Sequence, residues 1–255
     1  MLGKDLAQRA EQAGLNASAP PQEKLIEGWL IRLSPGKAKR SRCINALAVG
    51  TLPLDELLAR CQAAFAAAGL PLYVRITPYS QPDDLDALLA AKGWPASDAA
   101  DVMVLAALPS HASLPAGQNL QALDAADYAQ LVGHLRGSSE AEISAHAERL
   151  AASPVAYRGF ALRDDGTDEL LACGQFAREG AIVGLFDIFT PPAQRGRGHA
   201  LKLCRQLLQI AAADGAVEAY LQVGSDNFEA QRVYARLGFQ FAYRYHYRSA
   251  EISSA

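Results

Sequence analysis

The residues best suited to chemistry in this chain are Gln194-Arg195-Gly196-Arg197-Gly198-His199-Ala200. Glycines two positions apart permit backbone angles closed to other residues and leave room for close approach. Successive main-chain N–H groups can therefore converge on one anion. An apolar run at 181–189 precedes this turn and an amphipathic stretch at 201–213 follows it, so the order reads as strand, glycine turn, helix. The helix adds the positive end of its dipole. A phosphate-bearing ligand near residues 195–200 is the expectation. Two familiar phosphate motifs do not apply. Gly198 is followed by His199-Ala200 rather than Lys-Ser/Thr, and Leu201 stands where a dinucleotide fingerprint needs its third glycine.

The elements downstream add three more residues. Asp214-Gly215 stops the helix, 217–223 reads as a strand, and Ser225-Asp226-Asn227 resembles a helix N-cap cluster. A helix over 228–237 ends at Gly238, and the aromatic-rich 239–247 reads as a last strand. Asn227 and Tyr234 lie seven positions apart, two helical turns, and so share one face.

The set Arg195-Gly196-Arg197-Gly198-His199-Ala200, then Asn227, Ala230, Tyr234 and Leu237-Gly238-Phe239, resembles the GNAT superfamily of acetyl-CoA-dependent N-acetyltransferases. The resemblance covers 181–247 well and 117–180 more loosely. It implies that acetyl-CoA is the cofactor and that the turn holds its pyrophosphate through main-chain N–H groups. Ile188, Phe189 and Thr190 would pair with the pantetheine arm, in a strand that splays from the next, often at a bulge. Asn227 looks like the family's cofactor-arm asparagine; a plain helix cap is the competing reading. Tyr234 is the expected general acid toward the departing sulfur, against the alternative of an aromatic packed on the sheet. Family members often use a carboxylate on the central strands as base, which makes Asp187 the first candidate. The alternative is that Asp187 faces solvent or pairs with an arginine. His246 is a second base candidate. His134, Glu140, Glu142 and His146 fall in the region that usually covers the acceptor, where each also reads as a solvated helix residue.

One architecture is present twice. A strand-like 43–49, a helix at 54–68, a strand at 72–76 and a helix from Pro82 to Ala91 echo the second half, with Gly69/Gly215 and Gly93/Gly238 offset by 146 and 145. The first half lacks the chemistry. Its strand-to-helix connection is Gly50-Thr51-Leu52-Pro53, and Leu89 and Pro82 stand where the second half has Tyr234 and Asn227. The expected fold class is α/β, with two GNAT-like lobes, each a mixed, mostly antiparallel sheet flanked by helices. Residues 1–110 form the degenerate lobe and 117–255 the catalytic one. The segment 108–117 has linker composition. A helix at 2–13 would stop before Pro20-Pro21.

Composition bounds the rest. The chain has 255 residues, half of them hydrophobic, and a formal charge of −3. That suits a soluble, cytoplasmic, globular protein and argues against a nucleic-acid binder or a membrane protein. Cys43, Cys61, Cys173 and Cys204 are too widely spaced for a zinc or disulfide framework, and no metal is expected. The basic cluster Lys37, Lys39, Arg40 and Arg42 sits between two strand-like runs. It reads either as a solvated hairpin or as a patch for an anionic substrate or partner. The resulting expectation is an N-acetyltransferase moving the acetyl group of acetyl-CoA to a primary amine of a small-molecule acceptor. Two rivals stand beside it: an acetyl-CoA-binding sensor or scaffold without turnover, and an acyltransferase acting on protein lysine. Oligomeric state is left open.

Overall fold

The structure is a computed structural model that describes residues 4–108 and 119–250. The expected linker therefore lies, apart from Leu108, outside the described residues. The chain opens with helix α1 (Lys4–Ala17) and the hairpin β1 (Glu23–Ile26) and β2 (Trp29–Arg32). Then come β3 (Ile44–Ala46), α2 (Leu54–Ala67), β4 (Val74–Ile76), α3 (Leu85–Ala91) and β5 (Ala96–Leu105). The second half runs β6 (Asn119–Leu123), α4 (Ala125–Leu135), α5 (Glu140–Ala152), β7 (Tyr157–Arg163), β8 (Leu170–Glu179) and β9 (Ile182–Phe189). It closes with α6 (His199–Ala213), β10 (Glu218–Gly224), α7 (Phe228–Arg236) and β11 (Gln240–Arg248). No helix among the described residues is long and apolar enough to cross a membrane.

The eleven strands among the described residues form one mixed sheet in the order β1-β2-β3-β4-β11-β5-β10-β9-β8-β7-β6. The series β3-α2-β4-α3-β5 and β9-α6-β10-α7-β11 repeat element for element, with parallel pairs β3/β4 and β9/β10 at the same place in each. The sheet is shared by an exchange. β11 lies between β4 and β5, pairing His246 with Ile76 and Phe241 with Met103. β5 in turn lies between β11 and β10, pairing Leu105 with Ala219. Each half thus places its last strand between the final two strands of the other.

Burial follows the pleat. On β11, Tyr243, Tyr245 and Tyr247 alternate into the core beneath α1, while Arg244 and His246 face the other way and bond Asp101 and Asp86. Both neighbours of β11 in the sheet come from the first half. His246, the second base candidate, donates from Nε2 to the Asp86 carboxylate on α3 at 2.9 Å, in the first half of the fold. The apolar sides of α2 and α3 cover the first half around Trp29, Phe65 and Leu89. Those of α6 and α7 cover the second around Leu203, Leu207 and Phe239.

Helix α1 seals the exchange. Leu6, Ala10, Ala13 and Ala17 form one stripe and pack on Val102, Val104, Tyr220 and Tyr243. Among them sits Glu11, buried, with its carboxylate bonded by Arg75 of β4 (Nη2 to Oε2, 2.9 Å) and by the hydroxyl of Tyr243. Burial alone would raise its pKa; the charge and hydrogen bonds of Arg75, with Tyr243, outweigh that and hold it below the ordinary glutamate value. The triad ties α1, β4 and β11 together.

Ahead of α2 the first half has no glycine turn. There Glu27, itself in the left-handed backbone region at φ 51°, accepts the N–H of Thr51 at 3.0 Å and its hydroxyl at 2.5 Å.

Removing one member of a buried ion pair leaves the other uncompensated, at about 3–5 kcal/mol. Glu11→Ala is therefore expected to lower unfolding stability by about that amount in urea titration, whereas Asp5→Ala, on an exposed pair of the same helix, should change it by less than about 1 kcal/mol. The folded state favours ionised Glu11. Its contribution is complete above the ordinary glutamate pKa of about 4.3 and is lost as pH falls through the depressed folded value. The wild type should lose stability on acidification more steeply than Glu11→Ala.

Candidate active site

Pro191 and Pro192 end β9, a short 3-10 turn follows at Pro192–Gln194, and the chain enters α6 through Gly196 and Gly198 at φ 75° and 80°. Both glycines are in the left-handed region that side chains with a Cβ avoid. A Cβ built on either would meet nothing within 4 Å, so the turn encloses open space. Among the described residues the N–H groups of Gly196, Arg197 and Gly198 have no acceptor, and the first N–H groups of α6 lack intrahelical partners by geometry. These are the donors an anion needs. The turn is braced from behind: buried Gln194 donates to Glu169 at 2.6 Å and accepts from Arg197 Nη1 at 3.1 Å. The Arg197 side chain thus turns back onto the loop, and that of Arg195 reaches the carbonyl of Thr190 at 3.3 Å. Gln194 as the brace was not foreseen; its polar side chain beside the turn was the available signal.

A groove leads away from this cradle. It is lined by Ile188, Phe189 and Thr190, by Arg195, Gly196, Gly198, His199 and Ala200, and on the far wall by Asn227 and Tyr234. All the residues singled out for the cofactor except Arg197 border it. Asn227 Oδ1 accepts the N–H of Ala230 at 3.1 Å and caps α7, while its amide nitrogen has no partner among the described residues. Thr190 Oγ1 and His199 Nδ1 are buried and unpartnered. Burial, then the charges of Lys202 and Arg197, lowers the His199 pKa, so the ring is neutral at neutral pH. The Tyr234 ring is buried, edge-on to Phe239 with centroids 6.2 Å apart, and its hydroxyl has no partner among the described residues. Burial, with Cys204 beside it, pushes the phenol pKa up, so it holds its proton at neutral pH.

The groove follows a split in the sheet. β9 and β10 are paired from Ile182/Glu218 to Leu185/Leu221, and there the pairing ends although both strands continue. Just beyond, Asp187 is in the left-handed region at φ 51°, and the register between β8 and β9 slips between Cys173 and Gln175. The expected splay and bulge are both present. A bulge re-aims side chains, and here it sends Asp187 and Ile188 to different cavities: Ile188 borders the groove, Asp187 a neighbouring pocket.

Asp187 is held on several sides. Arg136 Nη1 donates to Oδ1 at 2.7 Å, Gln175 Nε2 donates to Oδ2 at 2.7 Å, and His146 Nε2 lies 3.5 Å from Oδ2. The hydroxyl of Tyr128 donates to its main-chain carbonyl at 3.0 Å. Burial would raise the carboxyl pKa, but the bond from His146 and the charge of Arg136 hold it well below the usual range. The arginine-paired alternative is the arrangement present. A carboxylate so stabilised is a weak proton acceptor, since a general base works best with a pKa near the working pH. Asp187 fits an anchor for His146 better than a base. Of the other candidates, His134 faces exposed Glu140 at 3.6 Å, and Glu142 closes a capping box with Ser139.

The pocket around Asp187 has a second wall from the first half of the chain. The loop between β2 and β3 brings Ser34, Gly36, Lys37, Ala38, Arg40 and Ser41 against Gly133, Arg136, His146 and Arg149 of α4, α5 and their junctions. The basic cluster seen in the sequence is therefore divided. Lys39 pairs with Asp98 above the Tyr73 ring, whereas Lys37 and Arg40 face this pocket.

The profile of the Acetyltransferase (GNAT) family matches residues 120–239. A protein of Bacillus subtilis (strain 168), named "Uncharacterized N-acetyltransferase YobR", is 24% identical over 234 residues, covering 89% of this chain and 91% of that protein. A solved GCN5-related N-acetyltransferase from Kribbella flavida superposes with a TM-score of 0.66 at 16% identity, over 97% of this chain and 95% of its own. A tandem GNAT protein from the clavulanic acid biosynthesis pathway gives 0.63 at 18% identity, over 99% and 95%. The two structures speak to the fold. The family match takes in the glycine turn, the split strands and Tyr234. Residues 120–239 therefore carry an acetyltransferase domain of the GNAT family, an acyltransferase domain in a chain whose fold is shared with a tandem GNAT protein.

Proposed function

We propose that the enzyme moves the acetyl group of acetyl-CoA to a primary amine of a small acceptor by direct attack. Residues 117–255 are the catalytic lobe and 1–110 a lobe without a cofactor site. The observation that carries this reading is one continuous groove. It begins at the open glycine cradle, follows the stretch of β9 that has parted from β10, and has a protonated Tyr234 in its wall.

The residues fit acetyl-CoA. Free N–H groups of 196–198 and the start of α6 match a pyrophosphate, and the edge of β9 that no longer meets β10, over Ile188, Phe189 and Thr190, matches the amides of a pantetheine arm. The unpartnered Asn227 amide, Thr190 hydroxyl and His199 Nδ1 supply further bonds along the groove. Acetyl-CoA supplies an activated acyl group, as a thioester. The protein holds it in line with an amine arriving from the Asp187 side of β9. The amine lone pair forms the C–N bond, the C–S bond breaks, and the sulfur takes the electron pair and the proton of Tyr234. The proton shed by nitrogen goes to His146, which Asp187 orients. N–H groups exposed by the split between β9 and β10 polarise the carbonyl.

Gly198→Trp is expected to weaken acetyl-CoA binding at least about 100-fold in calorimetric titration, because the cradle would be filled and its φ strained. Arg197→Ala, whose guanidinium turns to Gln194, should change it by less than about fivefold. Unaltered binding by Gly198→Trp would remove the cofactor from this turn. Tyr234→Phe should lower kcat about 100-fold or more with acetyl-CoA affinity retained, read as thiol release. An unchanged kcat would pass proton donation to water.

A further inference from the structure

The pocket around Asp187 carries more positive charge than it neutralises internally. Four cations border it, Lys37, Arg40, Arg136 and Arg149, against two carboxylates, Glu142 and Asp187. Asp187 is committed to Arg136 and Gln175, and Glu142 to Ser139, with Lys37 at 3.9 Å. That leaves two arginines. Arg149 is buried and bonds two neutral oxygens, the carbonyl of Ala17 at 3.3 Å and the hydroxyl of Tyr157 at 3.5 Å. The Arg40 guanidinium lies over the Phe186 ring at 5.3 Å, and among the described residues it has no hydrogen bond and no ion pair.

The charge of Asp187 reaches Arg40 across the pocket without a hydrogen bond between them, so the guanidinium keeps its N–H donors for charge-assisted bonds. Arg40 is also held in place. It belongs to the 3-10 turn Lys39–Ser41, whose Ser41 is buried and donates to the carbonyl of Ser18 at 2.9 Å. Its neighbour in the pocket wall is Asp187, which is adjacent in sequence to Ile188 of the acetyl-CoA groove.

We propose that the acceptor is an amine that also bears an anionic group, carboxylate or phosphate, and that Arg40, from the half of the chain without a cradle, selects it with Arg149. The inference rests on the transferase reading above and deepens it. The anionic group of the acceptor takes the free bonds of Arg40. The amine at its other end points across β9, beside His146, where the C–N bond forms as already described. The first half of the chain thereby contributes a specificity residue to a reaction run by the second.

The test uses the full chain at saturating acetyl-CoA, with thiol release as the readout and acceptors in matched pairs. The common L-amino acids are set beside their carboxamides, and 2-aminoethyl phosphate beside ethanolamine. The anionic member of at least one pair should show a kcat/KM about tenfold or more above its neutral partner. Which pair responds separates carboxylate from phosphate. Arg40→Gln should reduce that ratio at least about fivefold, chiefly through the acceptor KM, and Arg40→Lys should restore part of it. Acetyl-CoA affinity should be the same in all three proteins. Equal or better use of the neutral partners would overturn the proposal, as would an undiminished ratio in Arg40→Gln. Failure of every anionic amine would also overturn it, and intact acetyl-CoA binding would then leave the transferase reading in place. Absence of acetyl-CoA binding by the wild type would overturn both.

Discussion

A strand in the interior of a sheet needs hydrogen-bond partners on both edges, and β5 and β11 each find theirs by crossing into the other half. Most of the architecture depends on that exchange. It turns two repeats into one sheet of eleven strands. It sets β10 against β5, so that β10 is held on one edge while its other edge parts from β9. It also brings three tyrosines of β11 beneath α1, where the buried Glu11–Arg75–Tyr243 cluster joins the N-terminal helix to both halves. A split between parallel strands exposes backbone groups, and exposure of that kind is tolerated where the surrounding sheet is firmly paired.

The two halves treat the same helix end in opposite ways. Before α6 the chain places glycines, free N–H groups and open space. Before α2 it places the carboxylate of Glu27, bonded to Thr51. The N-terminus of α2 has Asp55 and Glu56 in its first turn and Glu27 just ahead of it, whereas the first turn of α6 has no acidic residue. One helix end is supplied with resident carboxylates, the other with open space. The division of labour between the halves therefore begins at a few residues in one connection, while the packing around Leu89 and around Tyr234 follows a common plan.

Much of this was legible in the sequence, for reasons that differ by residue. Gly196 and Gly198 announce their backbone angles by their type, and Asn227 announces a cap, so local chemistry placed both. The near-constant offset of 145 to 146 gave away the repeat, since hydrophobic periodicity and glycine stops survive as local signals. The exchange of β5 and β11 was not legible. Strand pairing depends on partners about 140 residues apart, and nothing in the run Ala96–Leu105 states which edge it will meet. Asp187 was visible as a charge in an apolar run, but its partners come from α4, α5 and β8, so its depressed pKa emerges only from the assembled fold. The basic cluster at 37–42 was visible too, whereas its position beside Asp187 required the first half to dock on the second.

The exchange also governs how the molecule can be made. The first half leaves the ribosome with β4 and β5 complete on paper but each missing a neighbour, because the strand that belongs between them begins at Gln240. At ~5–20 residues per second, the wait from Leu105 to Gln240 is on the order of 10 s. Throughout it the nascent chain carries open strand edges, the features most apt to join with other chains. The sheet closes at its centre last, because the strand that completes it is made last, and a chaperone that shields β4 and β5 during that interval would act where this topology is most exposed.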